Sequence, residues 1–141
     1  MLKGIPQILS PELLKVLCEM GHSDRLVISD GNFPSESMGK NAIVIRCDGH
    51  GVPEILDAIL QLFPLDTYVA SPVALMATTK DDPTPEIWAV YEDIVKKHNG
   101  ETEISQIERF DFYDRTKKAY AVIATSEKAL YANIILKKGV I

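Results

Sequence analysis

Three proline–glutamate pairs, Pro11-Glu12, Pro53-Glu54 and Pro85-Glu86, each stand at the head of an amphipathic run, and short apolar stretches separate them. That alternation constrains the fold more than any other feature of the chain. Proline fits the first helical position because its missing N–H would have no partner there, and an acid beside it faces the positive end of the helix dipole. At Ser10-Pro11-Glu12 a capping hydroxyl completes the signature, and Thr84-Pro85-Glu86 repeats it. Apolar residues then recur at helical spacing: Leu13, Leu14, Leu17 and Met20; Ile55, Leu56, Ile59, Leu60 and Phe63; Ile87, Val90, Tyr91 and Ile94, up to a stop at Gly100. Between and after them lie runs of strand length at Leu26–Ile28, Ala42–Arg46, Val73–Ala77, Ile104–Ile107, Ala119–Ala124 and Asn133–Leu136. Short helical segments are expected at 110–117 and 127–130. Unbroken apolar runs are the pattern of strands buried on both faces, and their alternation with helices is the α/β signature. The expected architecture is one domain, residues 1–141, a three-layer α/β/α sandwich around a largely parallel sheet.

The stretch from Met20 to Pro34, MGHSDRLVISDGNFP, carries the first functional signal. Gly21 reads as a helix stop, so His22 leaves the helix end. Asp30 and Gly31 follow the apolar strand, and in open α/β sheets ligands gather beyond the carboxyl ends of strands. The reading expects His22 and Asp30 on one rim, under an irregular loop at 31–41 rich in Gly, Ser and Asn. Taken singly, both have plainer roles, a histidine capping carbonyls and an aspartate making a turn. Further residues shift that balance. Arg109 ends a strand beside Phe110, Phe112 and Tyr113, and Tyr131-Ala132-Asn133 lies at a helix-to-strand junction. Histidine, carboxylate, arginine, tyrosine and asparagine among aromatics form the inventory of a sugar pocket, planar polar groups for hydroxyls and flat apolar surface for C–H faces.

Other chemistries find little support. Fifteen basic against twenty acidic residues give a charge of −5, which argues against nucleic acid and anionic membranes. Cys18 and Cys47 follow no metal or redox spacing, and Cys18 reads as a small core residue. No run is long and apolar enough to cross a bilayer and no signal peptide is evident, so a cytoplasmic protein with reduced thiols is expected. No G-x-G-x-x-G, P-loop or G-x-S-x-G element occurs. Asp48-Gly49-His50-Gly51 reads as a turn, and His98, in KKHNG, as a solvated cation at a helix end.

With these residues in place, the chain resembles the fucose mutarotase/ribose pyranase family along nearly its whole length. The likeness is carried by LSPELLKVLCEMGHSD, SDGNFP, IRCDG, LDTYV, ERFDFYDR, KKAYAVIAT and YANIILKKGV. The GH-x-D and Y-x-N-I-I-L elements are common to both branches, whereas the F-x-F-Y-[DE]-R segment and the LKKGV ending are similar to the fucose branch. Bacterial fucose members often carry alanine and histidine where Gly31 and Asn32 stand here. The resemblance implies an isomerase that interconverts the α and β anomers of L-fucose by ring opening and reclosure. Its alternatives are pyranose–furanose interconversion of ribose, and sugar binding without catalysis. The resemblance also implies that His22 is the proton donor and that Asp30, Arg109, Tyr131, Ala132 and Asn133 contact the sugar. It implies no metal or organic cofactor, and homo-oligomers from small assemblies to decameric rings with sites near subunit contacts. The chemistry asks for little more, since histidine, with a reference pKa of roughly 6.5, gives and takes protons near working pH.

Overall fold

The computed structural model describes all residues, Met1–Ile141. Eleven elements follow in the order α1 (Pro11–Glu19), β1 (Arg25–Ser29), α2 (Ser35–Met38), β2 (Ile43–Cys47), α3 (Val52–Leu60), β3 (Val73–Met76), α4 (Ile87–Asn99), β4 (Ile104–Ile107), α5 (Arg109–Lys117), β5 (Ala121–Thr125) and β6 (Ile134–Lys137). The strands form one sheet ordered β2-β5-β1-β6-β3-β4. The β2–β5, β5–β1 and β3–β4 pairs are parallel, and β6 runs antiparallel to both of its neighbours, β1 and β3. Five strands therefore point one way and β6 the other, in a mostly parallel α/β fold.

The alternation of side chains divides the core in two. Leu26, Ile28, Val73, Leu75, Ala121, Ile123, Ile134 and Leu136 point to one face and pack against α1, α3 and α4. Val27, Ala74, Met76, Val122 and Ile135 point to the other, under Phe33, Phe112 and the flanks of α2 and α5. The four inner strands are buried almost throughout, as their unbroken apolar runs require, whereas the edge strands β2 and β4 are half-exposed.

Two helix starts behave as their residues dictate, whereas at Thr84-Pro85-Glu86 the helix α4 begins only at Ile87 and no side chain caps it. Ser10 Oγ accepts from the Leu13 N–H at 3.2 Å, and Glu54 turns back to accept from the Gly51 N–H at 3.1 Å. Gly100 closes α4 in the left-handed region, φ 70°. Several expectations need correction. The α1 helix ends at Glu19, and Ser23, not Gly21, takes the positive φ (73°) in the turn that follows. The 31–41 loop contains a helical turn, α2. No helix forms at 127–130, because the Glu127 carboxylate captures the N–H groups of Ala129 and Val52 at 3.0 and 3.1 Å. Cys18 is exposed, and Val90 is exposed because Trp88, Tyr91 and Val95 form the buried stripe of α4. His98 is not solvated either. Its ring is largely buried and Nε2 meets Asp57 of α3 at 2.7 Å. No helix is long and apolar enough to cross a membrane.

Candidate active site

The reversed direction of β6 assembles a cluster on one rim of the sheet. Asp30 follows the carboxyl end of β1, and Tyr131-Ala132-Asn133 precede the amino end of its antiparallel neighbour, so both segments meet there. Asp30 is only 5 % exposed and is tied in three ways. Its Oδ1 accepts from the Asn32 N–H at 3.0 Å, its Oδ2 from the Ala132 N–H at 3.3 Å, and its own N–H donates to Asn133 Oδ1 at 2.7 Å. Burial pushes the Asp30 carboxyl above the ordinary range, and those N–H donors pull against the rise. On its other side Asp30 faces a cavity of about 300 Å³, shared with Phe33, Ser35, Arg46 and Thr125. Asp30 and Asn133 thus lock the two segments together as well as facing the rim.

Tyr131 sits in the left-handed region at φ 54°. That conformation costs a bulky side chain about 1–2 kcal/mol and persists only where surroundings enforce it. Helix α4 enforces it. Trp88 Nε1 donates to the Tyr131 carbonyl at 2.8 Å, and one turn later the buried Tyr91 hydroxyl donates to the Ala132 carbonyl at 2.7 Å. Burial, with the nearby Glu127 and Asp30 charges, raises the Tyr91 phenol far above its usual range, so it acts as a fixed donor. The Tyr131 hydroxyl reaches the loop after β3, where it donates to Asp82 and lies 3.3 Å from Thr79 Oγ1.

Arg109 lies on the same rim as the first residue of α5, past the Glu108 side chain that caps the helix by accepting from the N–H groups of Phe110 and Asp111. Its guanidinium stands over the Phe110 ring, 4.6 Å from the centroid. Edge strand β4 is three strand spacings from β1, about 14 Å along the rim. Phe33 and Phe112 stack edge-on at 5.8 Å inside the second core, where they serve packing.

His22 does not join this cluster. It precedes β1, so it stands at the opposite rim, and the expectation that His22 and Asp30 share one rim fails. The five residues of β1, at about 3.3 Å each, hold the two rims about 17 Å apart. The turn that carries His22 is itself pinned. Gly21 N–H donates to Asp24 Oδ2 at 2.8 Å, Ser23 N–H to the Lys138 carbonyl at 2.9 Å, and Lys138 Nζ caps the end of α1 on the Leu17 and Met20 carbonyls. Beyond β6 the chain pairs with residues 64–66, and Gly139 passes so close that a Cβ there would lie 2.5 Å from the Leu65 carbonyl oxygen. This pairing brings Asp66 under the imidazole, with His22 Nε2 3.1 Å from Asp66 Oδ1. The imidazole is 41 % exposed and the carboxylate 1 %, so a solvent-facing ring rests on a buried acid. The Tyr68 N–H, then His22 and Lys137, hold Asp66 below the ordinary carboxylate range. Tyr68 flanks the imidazole, ring centroids 5.4 Å apart.

Reading the sequence missed Asp66, Asp82, Trp88 and the hydroxyl role of Tyr91. The segment LDTYV carried the likeness, yet nothing local in it marks Asp66 as the partner of a histidine 44 residues away. No group of three or more His, Cys, Asp or Glu side chains forms a metal-binding cluster.

Comparison with known proteins supplies the frame for this geometry. Residues 3–141 match the model of the RbsD / FucU transport protein family. The L-fucose mutarotase of Actinobacillus pleuropneumoniae is 52 % identical over 142 residues, covering 99 % of this chain and 97 % of that protein. FucU from Bifidobacterium longum superposes with a TM-score of 0.95 at 60 % identity, covering 99 % of both chains. The fucose mutarotase of Streptococcus pneumoniae, solved with L-fucose, superposes at 0.93 with 50 % identity over 99 % of both chains. The likeness to Bacillus subtilis RbsD, solved with D-ribose, is weaker: TM-score 0.79 and 26 % identity, over 100 % of this chain and 99 % of that one.

Proposed function

The chain belongs to the RbsD / FucU transport protein family, and from that membership we propose that it is an isomerase that interconverts the α and β anomers of L-fucose. The observation that carries this is the near-complete superposition, at half identity, on a fucose mutarotase solved with that sugar. Anomer exchange passes through the open aldehyde. The anomeric O1–H loses a proton, the C1–O5 bond breaks with its electron pair going to O5, and O5 gains a proton. Rotation about C1–C2 and reclosure complete the exchange. Positioned proton donors and acceptors suffice for this, and such groups typically give ~10²–10⁴-fold.

In this proposal His22, oriented by Asp66, protonates O5. Asp30, Arg109 and Asn133 hold hydroxyls, the Ala132 backbone fixes Asp30, and Tyr131 receives the O1 proton. Because β1 separates His22 from the other groups, the site is completed between two copies, the His22 rim of one facing the Tyr131 rim of the next. Exposed apolar side chains flank both rims, Tyr68, Val140 and Ile141 on one and Phe110 and Leu130 on the other. A head-to-tail contact of this kind closes into rings when the rotation allows, which suits a homo-oligomer, up to the decamers that the family resemblance implies. All 141 residues act as one cytoplasmic sugar-processing domain in this reading.

Saturation-transfer NMR on unlabelled sugars tests the activity. The expected result is accelerated α/β exchange of L-fucose, abolished by His22→Ala with fold and assembly intact. Acceleration confined to ribose ring-form exchange would make this a ribose pyranase, and saturable binding with no acceleration would leave a sugar-binding protein.

A further inference from the structure

The carboxylate of Asp82 lies on the exposed loop between β3 and α4 and takes no part in the scheme above. Three contacts converge on it and on Tyr131. The Tyr131 hydroxyl donates to Asp82 Oδ2, Thr79 Oγ1 donates to the same oxygen at 2.9 Å, and the Thr79 N–H points at the tyrosine oxygen from 3.5 Å. The Asp82 N–H also donates to the Thr79 carbonyl at 3.1 Å, so the loop folds back on itself around the phenol. A phenolic hydroxyl has one proton and otherwise offers only lone pairs. With that proton committed to Asp82, Tyr131 presents acceptor character alone to anything bound beside it.

From this geometry we infer that Asp82 is a positioning residue that sets Tyr131 as the proton acceptor for the anomeric hydroxyl. The inference rests on the reading above that Tyr131 faces the sugar. As the ring opens, the O1 proton moves to Tyr131 Oη while the tyrosine's own proton moves to Asp82 Oδ2. C1=O1 forms, the C1–O5 electron pair goes to O5, and O5 takes its proton from His22 of the adjoining copy. Reclosure on either face of C1 returns each proton along the same path, so the protein ends unchanged. Trp88 serves the arrangement from the other side by holding the Tyr131 backbone in its left-handed conformation, which aims the ring at the loop. The orphan tyrosine proton, which a lone phenol would direct at the sugar or at water, is thereby assigned a fixed acceptor.

The experiment compares four variants of the intact chain with the wild type by polarimetry, starting from crystalline α-L-fucose, over a range of sugar concentrations. In Asp82→Asn the amide oxygen still accepts from Tyr131, so the ring keeps its place but its proton has no base to go to. The expected result is a fall in kcat of about 10- to 100-fold, within the usual span of general acid–base effects, with KM changed less than about twofold. Asp82→Glu restores a substantial part of the lost kcat. Tyr131→Phe loses at least as much as Asp82→Asn, and adding Asp82→Asn to it costs nothing further, because the two act as one unit. An unchanged kcat in Asp82→Asn beside a crippled Tyr131→Phe overturns the role given to Asp82 and leaves the site reading intact. A rise in KM alone, with kcat preserved, also overturns it and makes Asp82 a structural strut. Full activity in Tyr131→Phe would instead remove the reading on which the inference stands.

Discussion

If His22 of one copy works on a sugar held by the Tyr131 rim of the next, two inactive variants must rescue each other. Consider His22→Ala and Tyr131→Phe produced together in one cell with different tags, and hybrids isolated through both tags in turn. Each variant alone keeps every site defective, and each is expected to hold anomer exchange to about a tenth of wild type or less. In a hybrid, an intact site needs a copy with His22 next to a copy with Tyr131. For equal mixing in a closed head-to-tail ring, chance supplies that pairing at about one site in four, with another quarter doubly defective. Hybrid activity should therefore approach about 25 % of wild type per subunit, well above either parent. The expectation of rescue follows from the sheet, since β1 keeps the two groups on opposite rims about 17 Å apart, so the proposed site draws on two copies. Exchange rates measured by saturation transfer at fixed total protein provide the assay, with the separately purified variants mixed without co-production as the control. Hybrids no more active than the average of the two parents would refute the shared-site reasoning.

Three other outcomes are expected. Tyr91→Phe removes only the hydroxyl that donates to the buried Ala132 carbonyl at 2.7 Å, so it should cost about 1–3 kcal/mol and lower Tm by roughly 3–9 °C at fixed protein concentration; a shift below about 1 °C would mean that the carbonyl finds another donor. Gly139→Ala pushes a methyl to 2.5 Å from the Leu65 carbonyl oxygen, an overpacking expected to cost about 1–3 kcal/mol in urea unfolding and to weaken activity through the displaced Asp66. The His98 hydrogen bond, and then Lys97, hold Asp57 below its ordinary value of 3.8. A depressed carboxylate contributes stability that is complete above its unfolded pKa and lost as pH falls through the lower folded value. Asp57→Asn should therefore flatten the decline in stability below about pH 4; an acid limb as steep as that of wild type would show that other carboxylates govern it.

Much of this molecule was legible residue by residue. The Ile104–Ile107 strand coincides with β4, and the other five strand runs fall within one or two residues of the structure, the four inner ones because strands buried on both faces must be apolar throughout. Ser10 caps α1 as its hydroxyl predicts. What stayed hidden depends on distant partners. The direction of β6 carries no local mark, since an apolar run reads alike in either sense, yet that direction decides which rim Tyr131-Ala132-Asn133 reach. His22 and Asp30 are near in sequence but not in space, because β1 joins the two rims instead of bringing its ends together. The 127–130 segment looked helical because nothing in it announces that Glu127 would bond Ala129 and Val52. Asp66 and Asp82 read as ordinary loop acids, and only the fold sets them beside a histidine and a tyrosine.

The backward-running strand also bears on how the chain assembles. Without Ile134–Lys137 between β1 and β3, no ladder would join β2-β5-β1 to β3-β4. Each piece by itself would present an unpaired edge, one at β1 and one at β3. Such edges invite pairing with other chains. Losing β6 would therefore divide the sheet rather than trim it.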